Sequence, residues 1–166
     1  MNVRCTLEDE PMSNQDLPYE QYLDMLRQQM HSRATLFRKL VDEFGPGVLD
    51  IVQQQVIDET YALWQAADLP VRDLNAVFGT VWESTSAVEY TVEERTPECL
   101  RLRVTRCMYA DEMRQAGAGD VGLAFYCAYD YGFCQGFNPH IRFTRTKTLM
   151  AGDDCCDHMY ELLGGN

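Results

Sequence analysis

The chain has 166 residues, 46% of them hydrophobic and 24% charged, and carries a formal net charge of −12. That length and balance suit one globular domain with a core of its own. The charge argues against nucleic acid or an anionic membrane surface as a partner, while a few arginines inside a pocket leave a small anionic substrate open.

Met1 to Met12 is polar and acidic and lacks the apolar stretch of a secretory leader, and no apolar run approaches the ~20 residues of a membrane helix. A cytoplasmic protein is therefore expected. The seven cysteines, at 5, 99, 107, 127, 134, 155 and 156, give an odd count and no Cys-x-x-Cys pair, so free thiols are expected rather than a disulfide framework.

Residues 1–16 read as a loose acidic segment and 17–166 as one domain. A first helix starts at Pro18, with Tyr19, Tyr22, Leu23, Leu26, Met30, Phe37, Leu40, Val41 and Phe44 at helical spacing, until Gly45-Pro46-Gly47 breaks it. A second runs from about Pro46 to Ala67, with Leu49, Val52, Val56 and Leu63 as its stripe, and a third covers about Val71 to Trp82. Met30, Trp64 and Trp82 read as packing residues, with a place in a pocket wall as the alternative, and the apolar faces of these helices leave room for a homo-oligomer.

The period then changes. Val88, Tyr90 and Val92 alternate with Glu89, Thr91 and Glu93, Thr96-Pro97-Glu98 turns, and Leu100, Leu102 and Val104 alternate with Arg101, Arg103 and Thr105, which predicts a hairpin ending at Cys107. Tyr109 to Gly117 and Val121 to about Phe133 follow as helices, the second capped by Asp120 and loosened at its end by Gly132 and Gly136. Ile141 to Met150 alternates again, Gly152-Asp153-Asp154 reads as a turn, and Cys155 to Tyr160 returns as the partner strand. The predicted class is α+β: three N-terminal helices packed on an antiparallel sheet of about four strands, with helix between the two hairpins.

Chemistry-bearing residues gather in two places. Cys127 and Asp130 sit three apart on a helix and are therefore neighbours on its surface. Arg145, Thr146, Thr148, Cys156, Asp157 and His158 sit on the closing hairpin, behind Asn138-Pro139. A thiol whose pKa is lowered by a nearby cation is a strong nucleophile, an adjacent carboxylate moves protons, and an arginine clamps a substrate carboxylate. Cys127, Asp130, Cys156 and His158 are also zinc-ligand types, although their spacing fits no zinc signature. His31 reads as an exposed helix residue, and His140 as one within reach of the site.

Cys127-x-x-Asp130 followed by F-N-P-H-I-R-F-T-R-T-K-T-L-M-A-G-D-D-C-C-D-H resembles the L-2-amino-thiazoline-4-carboxylate hydrolase family, most strongly over Leu123 to Tyr160. The resemblance implies a cytoplasmic hydrolase without an organic cofactor. It would open a small cyclic amidine-like sulfur ring bearing a carboxylate, leading through a carbamoyl-cysteine to cysteine. It also implies that Cys127, Asp130, Arg145, Thr146, Thr148, Gly152, Cys156 and Asp157 fall on the motif, with His158 where the family often has an aromatic residue.

On this reading Cys127 is the nucleophile, Cys156 or water activated by Asp130 being the alternatives. Asp130 and Asp157 move protons, Arg145 anchors the carboxylate, and Asn138, Thr146, Thr148 and His158 contact the substrate; no metal ligand is assigned. A non-catalytic small-molecule sensor, a metal-activated hydrolase and a purely structural subunit are the competing readings.

Overall fold

The computed structural model describes residues 19–83 and 85–164; the acidic segment 1–16 lies outside them. Its elements alternate in period as the sequence does. Helix α1 is Tyr19–Phe44 and α2 is Gly47–Ala66. Helix α3 joins an α-helical turn, Leu74–Val77, to a π-helical one, Phe78–Trp82. The hairpin of β1, Val88–Arg95, and β2, Cys99–Cys107, follows. Helix α4 is Met108–Gln115. Helix α5 runs through Gly119–Gly122, a π-helical Leu123–Cys127 and Tyr129–Phe137. Strand β3 is Ile141–Thr144, a 3-10 turn spans Leu149–Ala151, and β4 is Cys156–Leu162. The expected α+β architecture is what forms. No helix among the described residues is long and apolar enough to cross a membrane.

Helix α1 runs unbroken through Ser32-Arg33-Ala34 because Met30 and Ala34 are both buried in the helical core, four residues apart on one face. Tyr22 and Phe44, expected on that stripe, are exposed, as is Leu63 on α2. Gly45 ends α1 with φ +84°, a left-handed value that glycine adopts without strain, and its N–H returns to the Val41 carbonyl.

Gly132 and Gly136 do not loosen α5. They lie inside it, four residues apart on one face, where α2 crosses at backbone contact. A Cβ on Gly132 would run into the Ile57 carbonyl oxygen, and one on Gly136 into that of Tyr61. Asp120 is not the N-cap of this helix: Ala118 holds that place, and the Asp120 carboxylate accepts from the Val121 N–H.

The four strands form one antiparallel sheet in the order β1-β2-β4-β3, so the last strand inserts between the first hairpin and β3. Leu100, Leu102 and Val104 of β2 pair with Tyr160, His158 and Cys156 of β4, and all six are buried against the helices. The alternate residues of β4, Asp157, Met159 and Glu161, point to the other face, as the period of two requires.

The long alternating stretch from Ile141 stays in the sheet only as far as Thr144. Beyond that point, side chains take the N–H groups that a ladder would use. Asp157 accepts from Thr146 and Lys147, Asp153 from Thr148, and the Cys156 sulfur from Leu149. With those donors satisfied, the chain leaves the sheet as a loop. The expected tight hairpin is thus a wide one, with Thr144 opposite Met159 and a connection of loop and 3-10 turn between.

Apolar side chains gather in two clusters. One joins α3, the sheet and the end of α5; the other joins α1, α4 and the start of α5, with Cys107 and Leu149 packed against both. Adding a methyl group at the α2–α5 crossing overfills a backbone contact, so Gly136→Ala is expected to lose about 2 kcal/mol of stability in urea unfolding. Unchanged stability would mean that the crossing is looser than described.

Candidate functional site

A cavity of about 440 Å³ lies where the two clusters meet, within the range of ~300–1,000 Å³ usual for small-molecule sites. Six of the nine expected site residues line it: Cys127, Asp130, Arg145, Thr148, Cys156 and His158. They come from α5, the loop after β3, and β4.

At its floor is an ion pair. The Arg145 guanidinium donates to Asp130 Oδ2 at 2.5 Å and to the Cys127 carbonyl at 3.1 Å. Its side chain is 6% exposed and that of Asp130 22%. His158 Nε2 lies 3.4 Å from Arg145 Nη1 and 3.5 Å from Asp130 Oδ2, so the ring nitrogen faces both a donor and an acceptor. Trp82 meets the His158 ring edge-on at 5.0 Å and Phe143 packs on it at 5.6 Å. The other ring nitrogen, Nδ1, is buried without a hydrogen-bond partner among the described residues.

The thiols surround Thr148. Its Oγ1 is 3.9 Å from Cys127 Sγ and 3.7 Å from Cys156 Sγ, and the Cys156 sulfur also accepts the Leu149 N–H at 3.2 Å. Burial pushes the Cys127 thiol up to about 12; Arg145 pulls it down less than burial raises it, and Asp130 adds to the rise. At neutral pH Cys127 is therefore a thiol, and its side-chain partner is a hydroxyl rather than a base. The lowered pKa expected from a nearby cation does not occur there, because burial outweighs the pull of Arg145 and the Asp130 carboxylate adds to the rise. The six described cysteines are free.

Three expected site residues fall outside this cavity. Asp157 sits on the opposite face of β4 and accepts from the Thr146 hydroxyl at 2.5 Å and from the Thr146 and Lys147 N–H groups. Thr146 faces a shallower outer groove with Lys147. Asn138 donates to the Arg72 carbonyl at 2.7 Å and accepts from the His140 N–H at 2.9 Å, which shapes the turn into β3. Nor does Arg145 stand free as an anchor for substrate, since its guanidinium is already engaged by Asp130 and Cys127. The four residues weighed as zinc ligands do not converge, for the thiols turn to Thr148 while His158 turns to Asp130 and a guanidinium; no group of three such side chains able to hold a metal occurs among the described residues. His140 is exposed and away from the cavity, and His31 pairs with Glu112 at 3.1 Å on the surface.

Apart from Trp82, the walls carry no signal in the sequence. Trp82 is both a core residue and a lining one, and Cys107, Tyr109, Phe125, Tyr126 and Arg33 line the cavity as well. Both π-helical turns end at it, one on Trp82 and the other on Cys127. A π turn inserts one extra residue and rotates the helix beyond it, a feature frequent at functional sites.

In this α+β fold, helices on one face of an antiparallel sheet thus enclose a cavity lined by an ion pair and thiols, of a volume usual for small-molecule sites. A model of the L-2-amino-thiazoline-4-carboxylic acid hydrolase family matches residues 24–160, and the chain belongs to that family. The match takes in the N-terminal helices as well as the motif region. Comparison with curated proteins and with solved structures returns no match.

Two outcomes are expected of the site's supports. Removing one member of the buried pair strands the other, so Arg145→Met should cost about 3 kcal/mol in urea unfolding, and Arg145→Met with Asp130→Leu less than that. Burial would raise the Asp157 carboxyl, but the Thr146 hydroxyl and the two backbone N–H groups outweigh it and hold the pKa below the usual 3.8. A depressed folded-state pKa gives stability that is fully present above pH ~4 and is lost as pH falls through the folded value. Asp157→Asn should therefore flatten the acid limb of the melting-temperature profile and cost about 1 kcal/mol at pH 7.

Proposed function

We propose that the protein hydrolyses a small carboxylated ring containing sulfur and nitrogen, of the 2-aminothiazoline-4-carboxylate kind, with Asp130 as the acid–base residue. The observation that carries this reading is the exposure gradient in the ion-pair cluster. All three line the cavity, but Arg145 and His158 are each 6% exposed, while Asp130, at 22%, is the most exposed of them. It is also the one carboxylate lining the cavity among the described residues. Its Oδ2 is held by Arg145 beside His158 Nε2, which leaves Oδ1 to meet water or substrate.

In the proposed step, water adds to the ring carbon between nitrogen and sulfur. Asp130 takes the water proton and returns it to the ring nitrogen. The tetrahedral carbon then collapses: the carbon–sulfur bond breaks, its electron pair leaves on sulfur, and Asp130 carries the hydroxyl proton to that sulfur. The product is an N-carbamoyl thiol one water heavier than the substrate. Thr148, between the two thiols, orients the ring, and Trp82 and Phe143 keep the imidazole in place.

A covalent route through Cys156 is the second reading. What favours it is the Leu149 N–H donated to the Cys156 sulfur at 3.2 Å, which fixes that sulfur in the cavity wall. A ligand-sensing role without turnover would show as binding without product.

Mass spectrometry of the protein incubated with L-2-amino-thiazoline-4-carboxylate should find the product heavier by one water. Asp130→Asn should lower kcat by about a hundred- to ten-thousand-fold, and Cys127→Ala should leave turnover largely intact. Loss of turnover in a folded Cys156→Ala variant, or a substrate adduct trapped on that residue, would move the chemistry to the covalent route.

A further inference from the structure

Two arginines line the cavity, and they differ in what they face. Arg145 is matched by Asp130. Arg33, half-buried on α1, makes no ion pair with any described residue. Its guanidinium lies over the Phe125 ring at 5.1 Å and the Tyr126 ring at 5.9 Å, and Nη1 donates to the Tyr126 hydroxyl at 3.2 Å. Aromatic faces and one hydroxyl hold the group in place without neutralising it. Gln29, one helical turn earlier on the same face of α1, lines the cavity beside it.

Among the described residues two guanidinium groups face one carboxylate in this cavity, which leaves one cation unmatched there, in a chain whose net charge is −12. An unmatched cation fixed on a concave wall is the recognition element of an anion, and a planar fork suits a carboxylate. The distance to the chemistry is short along the chain. Tyr126, which fixes Arg33, is followed directly by Cys127, whose carbonyl receives Arg145.

We propose that Arg33 is the carboxylate-binding residue of this cavity, gripping the anionic group of the substrate while the ring lies toward Asp130 and His158. The assignment rests on the proposed hydrolase reading for the substrate's identity, but the anion site itself does not. Arg33 is then a specificity residue contributed by the N-terminal helix, and Arg145 a positioning residue that fixes Asp130.

The test is calorimetric and uses two unreactive probes, thiazole-4-carboxylate and thiazole-4-carboxamide, with the whole protein, Arg33→Met and Arg33→Gln. The parent protein should bind the carboxylate roughly 30-fold more tightly than the carboxamide. Either variant should bring the two affinities together by weakening the carboxylate alone. Because carboxamide binding reports the integrity of the cavity, a merely structural role for Arg33 would weaken both probes. That result, a preference retained in either folded variant, or no preference in the parent protein would each overturn the assignment. Turnover of the aminothiazoline is measured separately. An Arg33-dependent preference in a protein that opens no ring would keep the anion site and reject the hydrolase reading.

Discussion

The Arg145 guanidinium joins the two layers of this protein. From the loop after β3 it reaches a carboxylate and a backbone carbonyl of α5, and it touches the imidazole of β4. Taking both charges of the pair out of water is costly, and their mutual attraction offsets that cost only in a fixed geometry. The surrounding structure supplies the geometry. One residue further along, the chain is held from the other side of the sheet by Asp157, which takes the N–H groups of Thr146 and Lys147. The loop is thus clamped between an inward arginine and an outward aspartate, and Thr148 comes to rest between the two thiols.

This clamp separates roles that a motif blends together. Asp157 lies within the same short sequence run as Arg145, Cys156 and His158, yet it acts on the loop rather than in the cavity. The period of two in β4 already implies as much: Cys156 and His158 share a face, and Asp157 takes the opposite one. Similarly, Asn138 and Arg72 work on backbone. The Arg72 guanidinium donates to the Trp64 and Ala67 carbonyls at the end of α2 and to the Gly136 and Phe137 carbonyls at the end of α5, which have no helical partners of their own. Residues of such a motif therefore serve a site in two ways, by facing it and by fixing the path of the chain around it.

The sequence made the class of fold legible because helix and strand periods are sharp in α1, α2, β1, β2 and β4. It also marked Cys127 and Asp130 on a helix and Thr148, Cys156 and His158 on the closing stretch as two groups, without showing that they meet. The rest depended on tertiary partners. Alternation from Ile141 to Met150 fits a strand equally well as a loop whose N–H groups are taken by side chains, and the acceptors lie on residues up to eleven positions away. The glycines of α5 look like helix breakers until α2 is laid across them. The π turns at Trp82 and Cys127 have no pattern of their own. Nothing in α1 distinguishes Arg33 from Arg27 or Arg38, both of which pair with acids on the surface.

The whole-chain charge is negative, while two guanidinium groups and one carboxylate line the cavity among the described residues, and in the proposed site the cavity is what would govern recognition. Exposed carboxylates act on a ligand through water and salt, where their field fades over a Debye length of ~8 Å. In the proposed site Arg33 would act at contact, beside aromatic rings, where screening is weak. Asp130 adds little repulsion toward an anion because Arg145 neutralises it at 2.5 Å. A ring that bears an amidine at one end and a carboxylate at the other has a polarity of its own. The proposed geometry matches it, with Arg33 toward the carboxylate and the open oxygen of Asp130 toward the amidine, whose nitrogen must gain a proton when water adds. Orientation of the ring would then follow from charge alone, and the apolar and aromatic walls would need only to exclude other shapes.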